Sequence, residues 1–180
     1  MTLDIHVPAG STGHDSLTVD ISAADAGWTY SGLRVAVLEA GEALALETGD
    51  YELLVLPLAG SAAVEVGGRT YELTGRPSVF EEITDFLYVP RRTAFTLTSA
   101  AGGRFALPAA IAVRDLPVRH LGRDQVRTDL RGAGDCSRQV NNYALNNGVE
   151  TSHLLCCEVL TPGGNWSSYP AHKHDRKGAD

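Results

Sequence analysis

The sequence predicts an all-β fold, an antiparallel barrel or sandwich, and three observations carry that prediction. Short runs rich in Val, Leu, Tyr and Phe recur at close intervals, Gly or Pro stands between them, and helical periodicity is scarce. At 180 residues and 43% hydrophobic content, the chain can bury one full domain and part of a second.

The strands are read in order from their apolar runs. Arg34 to Leu38 is the first. Tyr51 to Leu58 and Ser61 to Val66 follow, separated by Ala59-Gly60. Val64-Glu65-Val66 then meets Arg69-Thr70-Tyr71 through Gly67-Gly68, a two-residue loop whose glycines accept the positive φ angles of a hairpin turn. Arg69 to Leu73, Phe86 to Val89, Phe95 to Thr98 and Phe105 to Val113 complete a first unit over residues 1–115.

From Arg114 to about Asp135, charges alternate with Pro117, Gly122, Gly132 and Gly134, and the apolar period fades. Residues 116–135 are accordingly read as a connector. Strand patterns resume at Arg138 to Leu145 and His153 to Leu160, so residues 136–180 read as the opening of a second β unit. A part-built unit leaves strand edges without partners, which invite pairing with another chain or docking on the first barrel. These strands are expected to extend the first sheet or to pair across a homodimer or higher homo-oligomer.

Composition excludes several classes of function. Apolar stretches are broken well short of the roughly 20 residues that span a bilayer. The start, Met1 to His6, shows no basic segment followed by an apolar run, so a cytoplasmic location is expected. Fifteen basic against twenty-two acidic side chains give a net charge of -7 without a basic cluster, which argues against nucleic acid as a partner. Cys136, Cys156 and Cys157 are read as reduced, buried thiols, since a bridge between neighbours is strained.

One constellation carries chemical weight. In an extended strand, His172 and His174 of His172-Lys173-His174 project from one face and can present two imidazoles to a zinc, manganese or iron(II) ion. Trp166 and Tyr169 offer aromatic faces for a sugar ring or for a core, and Arg138 offers a guanidinium for a substrate carboxylate or for solvent. His6, His14, His120 and His153 stand apart from any second ligand and are read as surface or capping residues.

The run Thr161 to Asp175, Thr-Pro-Gly-Gly-Asn-Trp-Ser-Ser-Tyr-Pro-Ala-His-Lys-His-Asp, resembles the signature of 5-deoxy-glucuronate isomerases, two-cupin enzymes of bacterial myo-inositol catabolism. The resemblance extends through Leu130 to Val140 and, more loosely, Ala26 to Leu33. It implies a cupin fold, with a first barrel followed by the start of a second whose metal is held by His172 and His174. The family's carboxylate and last histidine lie beyond Asp175, so the chain is read as part of a longer protein and is expected to be inactive alone. A cupin glutamate in the first unit falls at Glu52. The matching histidine positions hold Ala45 and Glu47, or Leu46 and Thr48, so that barrel is expected to hold no metal and Glu52 to be an edge carboxylate.

The implied reaction converts 5-deoxy-glucuronate to 5-dehydro-2-deoxy-gluconate, an aldose to ketose shift by metal-assisted proton transfer, with a small sugar acid as partner. The general base is unassigned. Two alternatives stand beside it: a non-catalytic cupin that binds sugars or builds assemblies, and a cupin dioxygenase.

Overall fold

A computed structural model describes residues 6–145 and 149–172. In chain order the elements are β1 (Leu17–Ile21), α1 (Ala23–Ala26), β2 (Ser31–Leu38), β3 (Glu42–Glu47), β4 (Tyr51–Val66), β5 (Arg69–Arg76), β6 (Phe86–Val89), β7 (Ala94–Ser99), β8 (Gly103–Ile111), β9 (Arg119–Leu121), β10 (Arg127–Arg131), β11 (Arg138–Ala144) and β12 (Cys156–Leu160). Among the described residues all pairings of these strands are antiparallel.

Two layers make the first barrel, and β4 belongs to both. Its first half pairs with β8 and β6 in the layer β1-β2-β8-β4-β6-β9. Its second half pairs with β7 and β5, and β3 joins through β7. The register of β4 slips between Pro57 and Ala59 and again between Gly60 and Ala62, where the strand changes layer. Gly60 sits at φ 89°, and a Cβ there would lie 2.7 Å from the Gly102 carbonyl oxygen, so only glycine fits this corner. The sequence pattern implies two strands here; the structure has one, bent at the Gly-containing break.

The barrel core joins Leu53, Val55, Val64, Leu87, Leu97, Phe105 and Leu107, each 2% exposed or less. Past the corner, β4 alternates buried Ala62, Val64 and Val66 with outward Ser61 and Glu65, the pattern of a strand with one wet face. Before it, Glu52 to Pro57 are all buried, because a second layer covers the other face of the sheet. The Gly67-Gly68 hairpin has the expected form, with Val66 opposite Arg69 and both glycines at positive φ.

β1 and β3 escape the sequence reading because Ala, Glu and Asp dilute their apolar alternation below what strand propensity reports. Within 116–135, β9 pairs with β6 of the barrel and β10 pairs with β11, so this connecting stretch carries two short strands.

β10, β11 and β12 form a separate three-stranded sheet. They do not extend the first sheet, as one expectation had it; they dock on the first barrel, by a face. Leu54, Leu56, Phe86 and Tyr88 from the barrel pack with Val126, Tyr143, Ala144 and Leu154, and the Phe86 and Tyr143 rings meet edge-on at 5.5 Å. Docking by face wins over docking by edge because those alternate side chains of β4 and β6 are large and apolar. Burying them contributes roughly 1.5 to 3 kcal/mol each, an upper range for a fully buried side chain.

Candidate functional site

The signature segment leaves β12 and folds back on the turn before β11. The Asn165 amide donates to Pro162 O at 3.0 Å, closing a turn through Gly163 and Gly164, the latter at φ 85°. The Trp166 amide then donates to Asp135 O at 2.7 Å, and Asn165 Nδ2 to Ser137 O at 2.9 Å. These bonds fix the segment beside the 134–137 turn.

Trp166 and Tyr169 stack edge to face at 5.8 Å and are 53% and 67% exposed, so they form an outward aromatic pair and not a core. The Tyr169-Pro170 peptide is cis. His172 Nδ1 donates to Pro170 O at 2.8 Å, a bond that orients the ring. His174 lies outside the described residues. Among the described residues no three His, Cys, Asp or Glu side chains cluster at metal distance.

Arg138 borders a different feature. An open cleft of about 650 Å³ lies between the barrel's Phe80 and the second sheet, lined by Leu130, Arg131, Arg138, Gln139 and Leu160. Arg138 Nη1 donates to Cys136 O at 3.1 Å, while Arg131 is paired with Asp129 at 3.2 Å. Trp166, Tyr169 and His172 do not line this cleft. Arg138 thus shares the cleft with Thr161 and Pro162, the first residues of the signature segment, while Trp166 is tied to the 134–137 turn through Asp135 O.

Two buried links join the sheet to the barrel, and neither is legible in the sequence. Glu52, expected at an edge, is wholly buried. Its carboxylate accepts from the amides of Ser152, His153 and Leu154 at 2.7, 2.6 and 2.7 Å and from the Tyr88 hydroxyl at 2.7 Å. It points away from the barrel interior because it alternates with the inward Leu53 and Val55. Burial, and then the bond to Glu52, hold the Tyr88 hydroxyl well above the ordinary tyrosine range.

Arg76 supplies the second link. Its guanidinium, with no exposed surface, donates to both oxygens of Glu158 at 3.0 and 2.6 Å, to Pro57 O at 2.9 Å and to Glu82 O at 3.0 Å. Glu158 also accepts from Asn141 Nδ2 at 3.0 Å, and Asn141 in turn accepts from Gln139 and Thr128. Burial, with the Glu158 charge beside it, pushes the Tyr143 phenol up to about 12.

Of the isolated histidines, His153 donates from Nδ1 to Ile111 O at 2.6 Å and packs on Tyr30, and His120 Nε2 lies 3.3 Å from Asp85. The three cysteines are unbridged, but Cys157 is exposed where the sequence implies burial, because β12 is an edge strand with one open face. Burial pushes Cys156 up to about 12. Asp20, Arg34, Thr48, Tyr51 and Leu107 border a small, partly open pocket of about 30 Å³, room for about one water. At the position compared with a ligand histidine, Thr48 is buried and donates to Pro90 O at 2.9 Å.

Comparison with known proteins accounts for this arrangement. The family model described as KduI/IolB matches residues 5–180. The chain belongs to the KduI/IolB family. It is 34% identical over 172 residues to the 5-deoxy-glucuronate isomerase of Geobacillus kaustophilus, a match covering 94% of this chain and 62% of the relative. The enzyme of the same name from Listeria monocytogenes is 34% identical over 160 residues, covering 87% and 59%. A crystal structure of an IolB-like protein from Salmonella typhimurium LT2 superposes with a TM-score of 0.84 at 33% identity, over 92% of this chain and 64% of that one. The chain thus spans about 62% of the length of such curated relatives. The KduI/IolB fold here is all-β and of cupin type, a first barrel followed by the start of a second. Among the described residues no helix is long and apolar enough to cross a membrane.

Proposed function

We propose that these 180 residues form the first part of an isomerase that converts 5-deoxy-glucuronate to 5-dehydro-2-deoxy-gluconate in myo-inositol catabolism. The observation that carries this reading is the 34% identity to an enzyme of that name over 94% of the chain.

In this reading the second unit holds a divalent ion, zinc, manganese or iron, through His172 and His174, with its remaining ligands from residues beyond Asp180 in a protein of the relatives' length. His172 fits the role because Pro170 O accepts a hydrogen bond from its Nδ1 and orients the ring. The ion, when bound, supplies Lewis acidity that makes the hydrogen beside the aldehyde more acidic and stabilises negative charge on oxygen. The chain's own residues bind and orient. Arg138 can form a bidentate pair with the substrate carboxylate, since its guanidinium meets only a backbone carbonyl among the described residues. The exposed faces of Trp166 and Tyr169 suit the apolar face of the sugar acid.

The first barrel serves as a scaffold. Its interior is filled by Leu53, Val55, Val64, Leu97 and Phe105, and its Glu52 is engaged by four donors. We expect the whole protein to act in the cytoplasm as a homodimer or higher homo-oligomer.

The test is conversion of 5-deoxy-glucuronate, followed as loss of aldehyde and gain of ketone, by a protein of the relatives' length that contains these residues. Turnover there and none in the 180-residue chain supports the reading. A full-length protein that binds the sugar acid without converting it supports the non-catalytic module instead.

A further inference from the structure

Among the described residues the strand β12 is the edge of its sheet, hydrogen-bonded to β11 on one side only. Five residues on one ladder hold a strand poorly. Yet this strand delivers the chain to the signature segment, which begins directly after Leu160. What fixes it is the first barrel, at two points of opposite charge. Before the strand, the Glu52 carboxylate gathers the amides of Ser152, His153 and Leu154 at 2.6 to 2.7 Å. Within the strand, Glu158 meets the Arg76 guanidinium at 2.6 Å.

Both barrel groups are set in place by the barrel itself. Tyr88 donates to Glu52, and Pro57 O and Glu82 O hold the Arg76 fork. Neither anchor tolerates displacement of β12 along its length. A slip of one residue turns Glu158 to the opposite face, leaving a guanidinium with no exposed side-chain surface unpaired. The same slip pulls the three successive amides off Glu52.

We propose that Glu52 and Arg76 are positioning residues for residues 161–172: the first barrel sets the register of β12 and, through it, the place of Trp166 and His172. The role assigned to His172 rests on the functional reading above; the positioning of Trp166 does not.

The experiment uses the 180-residue chain, with Glu52→Gln and the double variant Arg76→Met, Glu158→Met. The double variant removes the charges together, so that it folds even if a single change does not. Amide exchange by NMR is read at Ser152 to Leu154, at Trp166, and at Val64 in the barrel as a reference. Binding of Mn²⁺ alone is measured in parallel. In both variants Trp166 exchange is expected to rise about tenfold or more while Val64 is unchanged, and Mn²⁺ affinity is expected to fall with it. Unchanged Trp166 protection in a folded double variant overturns the proposal. Faster Trp166 exchange with unaltered Mn²⁺ affinity overturns it for His172. If the parent chain, with only part of the ligand set, binds no Mn²⁺, Trp166 exchange alone decides the positioning.

Discussion

The Tyr88 hydroxyl donates to Glu52 at 2.7 Å in a place closed to solvent, on the face of the barrel that carries the second sheet. The other donors to this buried carboxylate among the described residues are the backbone amides of Ser152, His153 and Leu154, so Tyr88 supplies its side-chain bond. Tyr88→Phe keeps the ring and removes one donor. The expected loss is about 1 to 3 kcal/mol, read from the shift of the urea midpoint at constant slope. A midpoint equal to the parent's contradicts the role given to this bond.

Arg76 and Glu158 predict an asymmetry. Removing one partner leaves a buried charge without compensation, so Glu158→Met is expected to cost about 3 to 5 kcal/mol. Replacing both by methionine is expected to cost much less, because neither desolvated charge remains. Denaturant melts of the two single variants and the double variant form the cycle that checks it. Additive losses deny the coupling.

Alkaline stability follows from the two buried phenols. Tyr143 is raised to about 12 and Tyr88 is raised as well, so each favours its neutral form in the fold. A raised folded value contributes stability that is fully present below the unfolded value near 10 and lost as pH climbs through the folded one. Folding stability is therefore expected to hold up to about pH 10 and to fall from there towards pH 12. Phenolate absorbance followed alongside circular dichroism tests this: two tyrosines must ionise only as the fold is lost. Their full ionisation in a native chain at about pH 10 rules it out.

Gly75 stands at φ 66° where β5 leaves the corner of β4, and a Cβ there would lie 1.8 Å from Gly60 O. Backbone, not a flexible side chain, is what it meets. Gly75→Ala is thus expected to cost about 3 kcal/mol or more, combining the left-handed backbone with the clash. Gly67→Ala, at φ 57° with open space around its Cβ position, is expected to cost much less. Paired thermal melts compare the two, and equal losses count against a clash at the corner.

The all-β class and the Gly67-Gly68 hairpin were legible because apolar alternation and paired glycines act locally. The continuous run Leu53 to Leu58 was legible as strand, but not its reason, which is cover of the outer face by residues near 143 and 154 in addition to the barrel core on the inner face. Glu52 illustrates the limit. By sequence it matches a metal-binding glutamate in place and reads as an edge carboxylate, yet its partners are amides about 100 residues away. Long-range pairing of that kind leaves no local signal; a lone acid inside an apolar run, as in Tyr51-Glu52-Leu53-Leu54, is the trace it does leave. Arg76 is the same case with the sign reversed. The signature segment was legible from its resemblance, whereas its fold-back, the Trp166 amide on Asp135 O and Asn165 Nδ2 on Ser137 O, uses backbone acceptors that the sequence does not mark.

The claim that His172 and His174 hold the ion used in isomerisation is tested most directly by one assay. In a protein of the relatives' length, 5-deoxy-glucuronate conversion and metal content are measured for the parent and for the double variant His172→Ala, His174→Ala. The variant is expected to fold and to lose bound metal and turnover together; full turnover in that variant contradicts the claim.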